Sequence, residues 1–139
     1  MINFINQTNI NCQLSTANCR RWLRAVAASY GFDTGDLTYI FCDDEEILRV
    51  NRQFLGHDYY TDVITFDYSS ATRVSGDIYI SLDTVRSNAE QLGIPFENEL
   101  LRILVHGLLH LTGQGDKTPE TKAEMTTKEN QALSLLTLS

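Results

Sequence analysis

His106-Gly107-Leu108-Leu109-His110-Leu111-Thr112-Gly113-Gln114-Gly115-Asp116 holds two of the chain's three histidines, four residues apart. Residues at i and i+4 of a helix lie one above the other on the same face. Both imidazoles can therefore point at one ion. Gly113 is suited to ending the helix in a left-handed turn. The chain can then double back and bring Asp116 toward the same point. Two nitrogens and a carboxylate oxygen make a three-ligand set for a transition metal, and an open fourth position is what a catalytic zinc site needs. The expectation is one metal ion held by His106, His110 and Asp116. An aspartate just before Lys117-Thr118-Pro119 equally suits capping the next helix.

Residues 96–112 carry Leu100, Leu101, Ile103, Leu104, Val105, Leu108, Leu109 and Leu111. A helix that is apolar on nearly every face is buried in the middle of its domain. The histidines thus sit on the most rigid element available, where a precise site is best built. Pro119 opens a last helix over residues 119–136, with its Lys and Glu residues facing water and Leu133, Leu135 and Leu136 packing. Before the central helix, Ser81 or Asp83 caps a helix reaching Leu92, with Leu82, Val85, Ala89 and Leu92 inward, and Gly93 closes it.

The first half alternates strands and helices. Residues 2–6 read as a strand. Ser15 or Thr16 caps a helix to Tyr30, whose stripe of Trp22, Leu23, Val26, Ala27 and Tyr30 is core. Residues 33–36 read as a turn around Gly35. Residues 37–42 read as a strand. Asp43-Asp44-Glu45-Glu46 opens a helix to about Gly56, its charges opposing the positive end of the helix dipole. Residues 56–60 form a loop, with His57 at the surface. Residues 61–68 and 76–81 read as strands able to pair as a hairpin across a polar turn.

The chain has 139 residues, 42% of them hydrophobic, enough for one domain spanning residues 1–139. No apolar run approaches the roughly 20 residues of a membrane span, and residues 1–6 lack the basic and apolar regions of a secretion signal. Cys12, Cys19 and Cys42 form no CxxC pair and suit reduced, buried thiols in a cytoplasmic protein. The net charge of −7 argues against wholesale nucleic-acid binding, though not against a local basic groove. Neither a membrane nor DNA is expected as a partner. The cluster Arg20, Arg21 and Arg24 reads as a solvated face.

Three stretches in register resemble the YbeY family of bacterial endoribonucleases, the rRNA maturation factors. The family string H-G-x-L-H-L-x-G-x-D-H matches the stretch from His106 to Asp116. T-D-V-L-S-F is answered by Thr61-Asp62-Val63-Ile64-Thr65-Phe66, and G-D-I-x-I-S by Gly76-Asp77-Ile78-Tyr79-Ile80-Ser81. The resemblance runs roughly from Leu37 to the end of the last helix. It implies an α+β fold: a small, mostly four-stranded mixed sheet packed with about five helices, the central one carrying the metal site. It further implies zinc, hydrolysis of single-stranded RNA, maturation of the 3′ end of small-subunit ribosomal RNA and ribosome quality control. Three departures stand out. Asp116 occupies the place of the third metal histidine. Leu55 stands where a loop arginine is usual, with Arg52 or His57 as substitutes outside the motif. Gln114-Gly115 replaces Tyr-Asp.

In this reading His106 and His110 contribute to catalysis through the metal, with Asp62 and Asp77 as outer partners that orient the imidazoles. The histidine spacing is also that of metalloprotease helices, but those carry a glutamate base after the first histidine, and here Gly107 stands there. Two alternatives remain at this stage: a non-catalytic metal-binding ribosome-assembly factor, and a metal-dependent hydrolase of small nucleotides.

Overall fold

A computed structural model describes residues 1–56 and 61–138; His57, expected at the surface, lies outside the described residues. The elements run β1 (Ile2–Asn6), α1 (Thr16–Ser29), β2 (Asp33–Cys42), α2 (Asp44–Leu55), β3 (Val63–Asp67), β4 (Arg73–Ser81), α3 (Leu82–Leu92), α4 (Phe96–Leu111) and α5 (Pro119–Leu138). The fold is α+β, with a four-stranded mixed sheet ordered β1-β2-β4-β3. β1, β2 and β4 are parallel, and β3 pairs antiparallel with β4 as the expected hairpin.

Helix starts follow from side-chain caps. Ser15 accepts from the Asn18 amide, Asp43 from Glu46 and Ser81 from Thr84. Each satisfies a backbone donor that the first helical turn leaves unpaired. Ser15 and Ser81, rather than Thr16 and Asp83, are therefore the caps of α1 and α3.

Side chains alternate across the sheet. Leu37, Tyr39, Phe41, Val74, Ile78 and Ile80 join α1, α3, α4 and α5 in the main core. Cys42 and Ile64, with Phe66 and Tyr79 packed against them, meet Ile47 and Val50 of α2 on the other face. Leu100, Leu104, Leu108 and Leu109 of α4 are fully buried, as the all-round apolar pattern requires. Gly107 lets α4 approach β4, since a Cβ there would lie 2.9 Å from Ile78 Cγ2. The Tyr39 hydroxyl donates to the Leu104 carbonyl at 2.9 Å and ties the sheet to α4.

Four details differ from expectation. Residues 33–36 are strand, not turn: Asp33 and Thr34 pair with Arg73 and Val74, and the register shift between Thr34 and Leu37 absorbs Gly35. That pairing is long-range and carries no local signal. Leu92 and Leu135 are exposed: Leu92 is the last residue of α3, and Leu135 lies off the face on which Leu133 and Leu136 pack against the core. The polar face of α5 is not wholly solvated, since Glu129 is buried and Lys128 sits over the Tyr30 ring. The arginine cluster is partly structural, with Arg20 donating to the Ile2 carbonyl at 2.7 Å and lying over the Phe4 ring.

Glu99 is the charged exception in the α4 core. It is buried, and its Oε1 has no hydrogen-bond partner. Burial raises its pKa, opposed by Arg102 and reinforced by Asp62 and Glu129. Folding therefore strengthens proton binding at Glu99. Its contribution falls as pH rises from the ordinary carboxyl range through the raised folded value. The Glu99→Gln variant is expected to melt about 3 °C above the parent near pH 8, with the gap closing toward about pH 5. Thermal unfolding at the two pH values checks this.

Candidate metal centre

The last turns of α4 present His106 and His110 on one face, with ring centroids 4.5 Å apart. Beyond them the helix closes in a Schellman turn: the Gly113 amide bonds the His110 carbonyl and the Gln114 amide bonds the Leu109 carbonyl. The turn needs a left-handed residue, and Gly113 supplies φ 101°. It swings the chain back along the helix. The Gln114 carbonyl then meets His110 Nδ1 at 2.9 Å. The Gln114 side chain donates to the Gly115 and Thr121 carbonyls and fixes the link to α5. Gln114 thus has a structural task at its departure from the family string.

Asp116 does not cap α5. Thr118 does so: its hydroxyl accepts from the Thr121 amide at 3.1 Å. Asp116 is left to face the histidines, with Oδ2 3.4 Å from His106 Nε2 and 3.5 Å from His110 Nε2. The two Nε2 atoms are 3.0 Å apart. Among the described residues this is the only cluster of three or more histidine, cysteine and carboxylate groups close enough to share an ion.

The outer ring nitrogens decide what the inner ones do. A carbonyl oxygen only accepts, so His110 Nδ1 donates to Gln114, and the neutral ring keeps a lone pair on Nε2. His106 Nδ1 faces Glu129 Oε2 at 2.6 Å. Burial raises the Glu129 pKa, but hydrogen bonds from His106 and Arg102 outweigh it and hold the group below the usual carboxylate range. The ionised carboxylate accepts, so His106 Nδ1 also donates, and in the neutral ring the lone pair lies on Nε2. Two ring nitrogens and a carboxylate oxygen thus converge on one point, the donor set a divalent cation takes.

The residues fit such an ion. Three tetrahedral donors about 2.0–2.1 Å from zinc stand roughly 3.3–3.4 Å from one another. The observed separations of 3.0, 3.4 and 3.5 Å bracket that value. Side-chain exposures of 17% for His106, 24% for His110 and 34% for Asp116 leave one side open to solvent.

Electrostatics separate the two rings. Burial lowers the His106 pKa, yet Glu129, Asp62 and Asp116 more than offset it and leave it raised. Burial and the neighbouring His106 lower that of His110. Asp62 acts on His106 through charge, and neither Asp62 nor Asp77 hydrogen-bonds an imidazole. The outer partners are instead the Gln114 carbonyl and Glu129. Glu129 is not singled out by the sequence. Met125, Glu129 and Ala132 lie at i, i+4 and i+7, and docking of α5 puts the glutamate in the middle of that buried stripe. Leu55, in the place of the family arginine, ends α2 exposed to solvent.

Comparison with known proteins places the chain among its relatives. The family model described as Endoribonuclease YbeY matches residues 2–137. A protein of that description from Phocaeicola vulgatus is 56% identical over 117 residues, covering 84% of this chain and 85% of its own. One from Bacteroides thetaiotaomicron is 56% identical over 114 residues, covering 82% and 83%. A solution structure of a Thermotoga maritima protein superposes with a TM-score of 0.71 at 29% identity, covering 98% of this chain and 89% of that one.

Proposed function

The chain belongs to the YbeY endoribonuclease family, and from that premise we propose that it cleaves single-stranded RNA at a zinc centre of His106, His110 and Asp116. Residues 1–139 act as one domain around that centre. One observation carries the metal reading: with both Nδ1 atoms engaged by oxygen acceptors, both Nε2 atoms face the Asp116 carboxylate within 3.5 Å.

A zinc ion held there supplies Lewis-acid activation of water and polarisation of a phosphoryl oxygen. The chain's own groups do the rest. His106 and His110 keep their inner nitrogens unprotonated, and the Gln114 and Glu129 bonds hold the ring planes. Asp116, the most exposed of the three, borders the open side. The donor set is three nitrogen and oxygen atoms, which suits an open catalytic site. A closed structural zinc takes four protein ligands, which disfavours the pure assembly-factor reading. A protease reading lacks its base, because Gly107 packs against Ile78 in the position a glutamate would need.

No helix among the described residues is long and apolar enough to cross a membrane. The setting we propose is the cytoplasm, with small-subunit ribosomal RNA and the ribosome as partners and the 3′ end of that RNA as the place of processing. The net charge of −7 makes the metal's own positive charge important for drawing in a phosphate.

The test is elemental analysis combined with RNA cleavage. The purified protein is expected to hold one zinc per chain and to cut a single-stranded oligoribonucleotide while sparing its duplex. Chelation is expected to abolish cutting, and zinc to restore it. Full zinc loading without cleavage would favour the assembly-factor reading. Turnover of dinucleotides without cleavage of the polymer would favour the small-nucleotide hydrolase.

A further inference from the structure

The α5 helix buries a carboxylate where packing alone calls for an apolar side chain. Glu129 lies between Met125 and Ala132 on the inward stripe and is only 7% exposed. Burying a charge is costly unless it is paired and hydrogen-bonded, and here both oxygens are engaged. Oε2 accepts from His106 Nδ1 at 2.6 Å, and Oε1 accepts from Arg102 Nη1 at 2.9 Å. Arg102 in turn donates through Nη2 to Asn130 Oδ1 at 2.9 Å. Arg102 and His106 are four residues apart on α4, so guanidinium and imidazole share a face and Glu129 spans both. The result is an Arg102–Glu129–His106 chain crossing from α4 to α5.

We propose that Glu129, oriented by Arg102, is a positioning residue of the metal centre, locking His106 in the Nδ1–H tautomer with Nε2 aimed at Asp116 and His110. The proposal rests on the metal-centre reading given above. A carboxylate suits the task better than an amide. Ionised, it only accepts, so it dictates which ring nitrogen carries the proton, whereas an amide can turn to offer either end. It also places negative charge behind the ring, which strengthens the ligand's donation to a metal. His110 has no such support, since its outer partner is a neutral carbonyl. The two histidines are thus unequal ligands, and the C-terminal helix completes the site without touching the ion.

The experiment uses three variants of the full chain: Glu129→Leu, Glu129→Gln and Glu129→Ala. Zinc affinity is measured by competition with a chromophoric chelator. The tautomer of His106 is read by 1H–15N NMR of the metal-free protein at a pH where both rings are neutral. Loss of such an outer partner weakens metal binding by about 10–100-fold. Glu129→Leu, which suits the apolar stripe, is expected to lose affinity by that factor; because it also leaves Arg102 and the His106 Nδ1–H without their carboxylate, circular dichroism of the metal-free variant confirms that the fold is retained at the assay temperature. Glu129→Gln is expected to fall between Leu and the parent, because its amide oxygen can still accept from Nδ1–H. In Glu129→Ala the Nδ1–H signal of His106 is expected to give way to Nε2–H. Affinity within about twofold of the parent and an unchanged His106 tautomer would overturn the proposal while leaving the metal centre intact. A parent that binds no zinc would overturn the metal reading itself.

Discussion

The His110→Ala variant is expected to lose zinc and, with it, RNA cleavage. In the proposed centre three donors would hold the ion, and two of them are imidazoles whose Nε2 atoms stand 3.0 Å apart. Deleting one leaves a single nitrogen and the Asp116 oxygen, too few to hold a catalytic zinc against a competing chelator. Outer partners alone alter metal affinity by about 10–100-fold; a ligand should cost at least about a hundredfold, and cleavage should fall in step. The variant also frees the Gln114 carbonyl that His110 Nδ1 bonded, so the turn behind the helix loses one support. Asp116→Ala is the cleaner companion. Asp116 caps no helix, and its removal is expected to empty the centre while the melting temperature of the metal-free protein stays put. Elemental analysis and cleavage of a single-stranded oligoribonucleotide, with circular dichroism as the fold control, measure both. Full zinc retention in both variants would remove the site assignment.

The largest stability effect is expected at Gly76 rather than in the metal centre. A Cβ there would lie 2.2 Å from the Phe66 carbonyl oxygen and 3.5 Å from Leu111 Cδ2. Gly76 pairs with Asp67 across the β3–β4 hairpin. The obstacle is backbone, so it cannot swing away as a side-chain tip can. Either β3 moves off β4 or the strand breaks. Overpacking costs typically 1–3 kcal/mol and more where the backbone must shift; Gly76→Ala is expected to cost about 3 kcal/mol or more. Gly107→Ala provides the contrast. Its new methyl meets the side chain of Ile78, at 2.9 Å, and replacing a mid-helix glycine by alanine returns about 1 kcal/mol. The Gly107 variant is therefore expected to lose clearly less. Urea unfolding midpoints of the two variants, compared with the parent, check the order. Equal midpoints would contradict the strand-crowding argument.

Those residues also mark what sequence alone makes legible. His106 and His110 announce themselves because their spacing is the period of the helix that carries them. Gly113 does so because a helix end needs a left-handed residue. The hairpin of β3 and β4 follows from two β-rich runs around a polar turn. Asp116 is ambiguous until Thr118 is seen to take the capping role. The β2 strand begins at Asp33, earlier than its local pattern suggests, because its first residues are held by a strand 40 positions later in the chain, Asp33 against Arg73. The imidazoles' outer partners are the least legible part. One is a backbone carbonyl, which no residue type encodes. The other, Glu129, is one of several acidic side chains on a largely polar helix, and only the docking of α5 on α4 decides which one turns inward. Asp62 and Asp77 looked equally suitable by residue type; the imidazoles bond elsewhere.

The Schellman turn and the α5 contact share a directional property. Among the described residues, each group outside the two rings that bonds or closely faces an imidazole nitrogen follows them in the chain: the Gln114 carbonyl, Asp116 and Glu129. The candidate centre therefore depends on the docking of α5 as well as on α4. A chain ending before Pro119 keeps His106, His110 and Asp116 but lacks Glu129, the carboxylate that holds the His106 ring from behind.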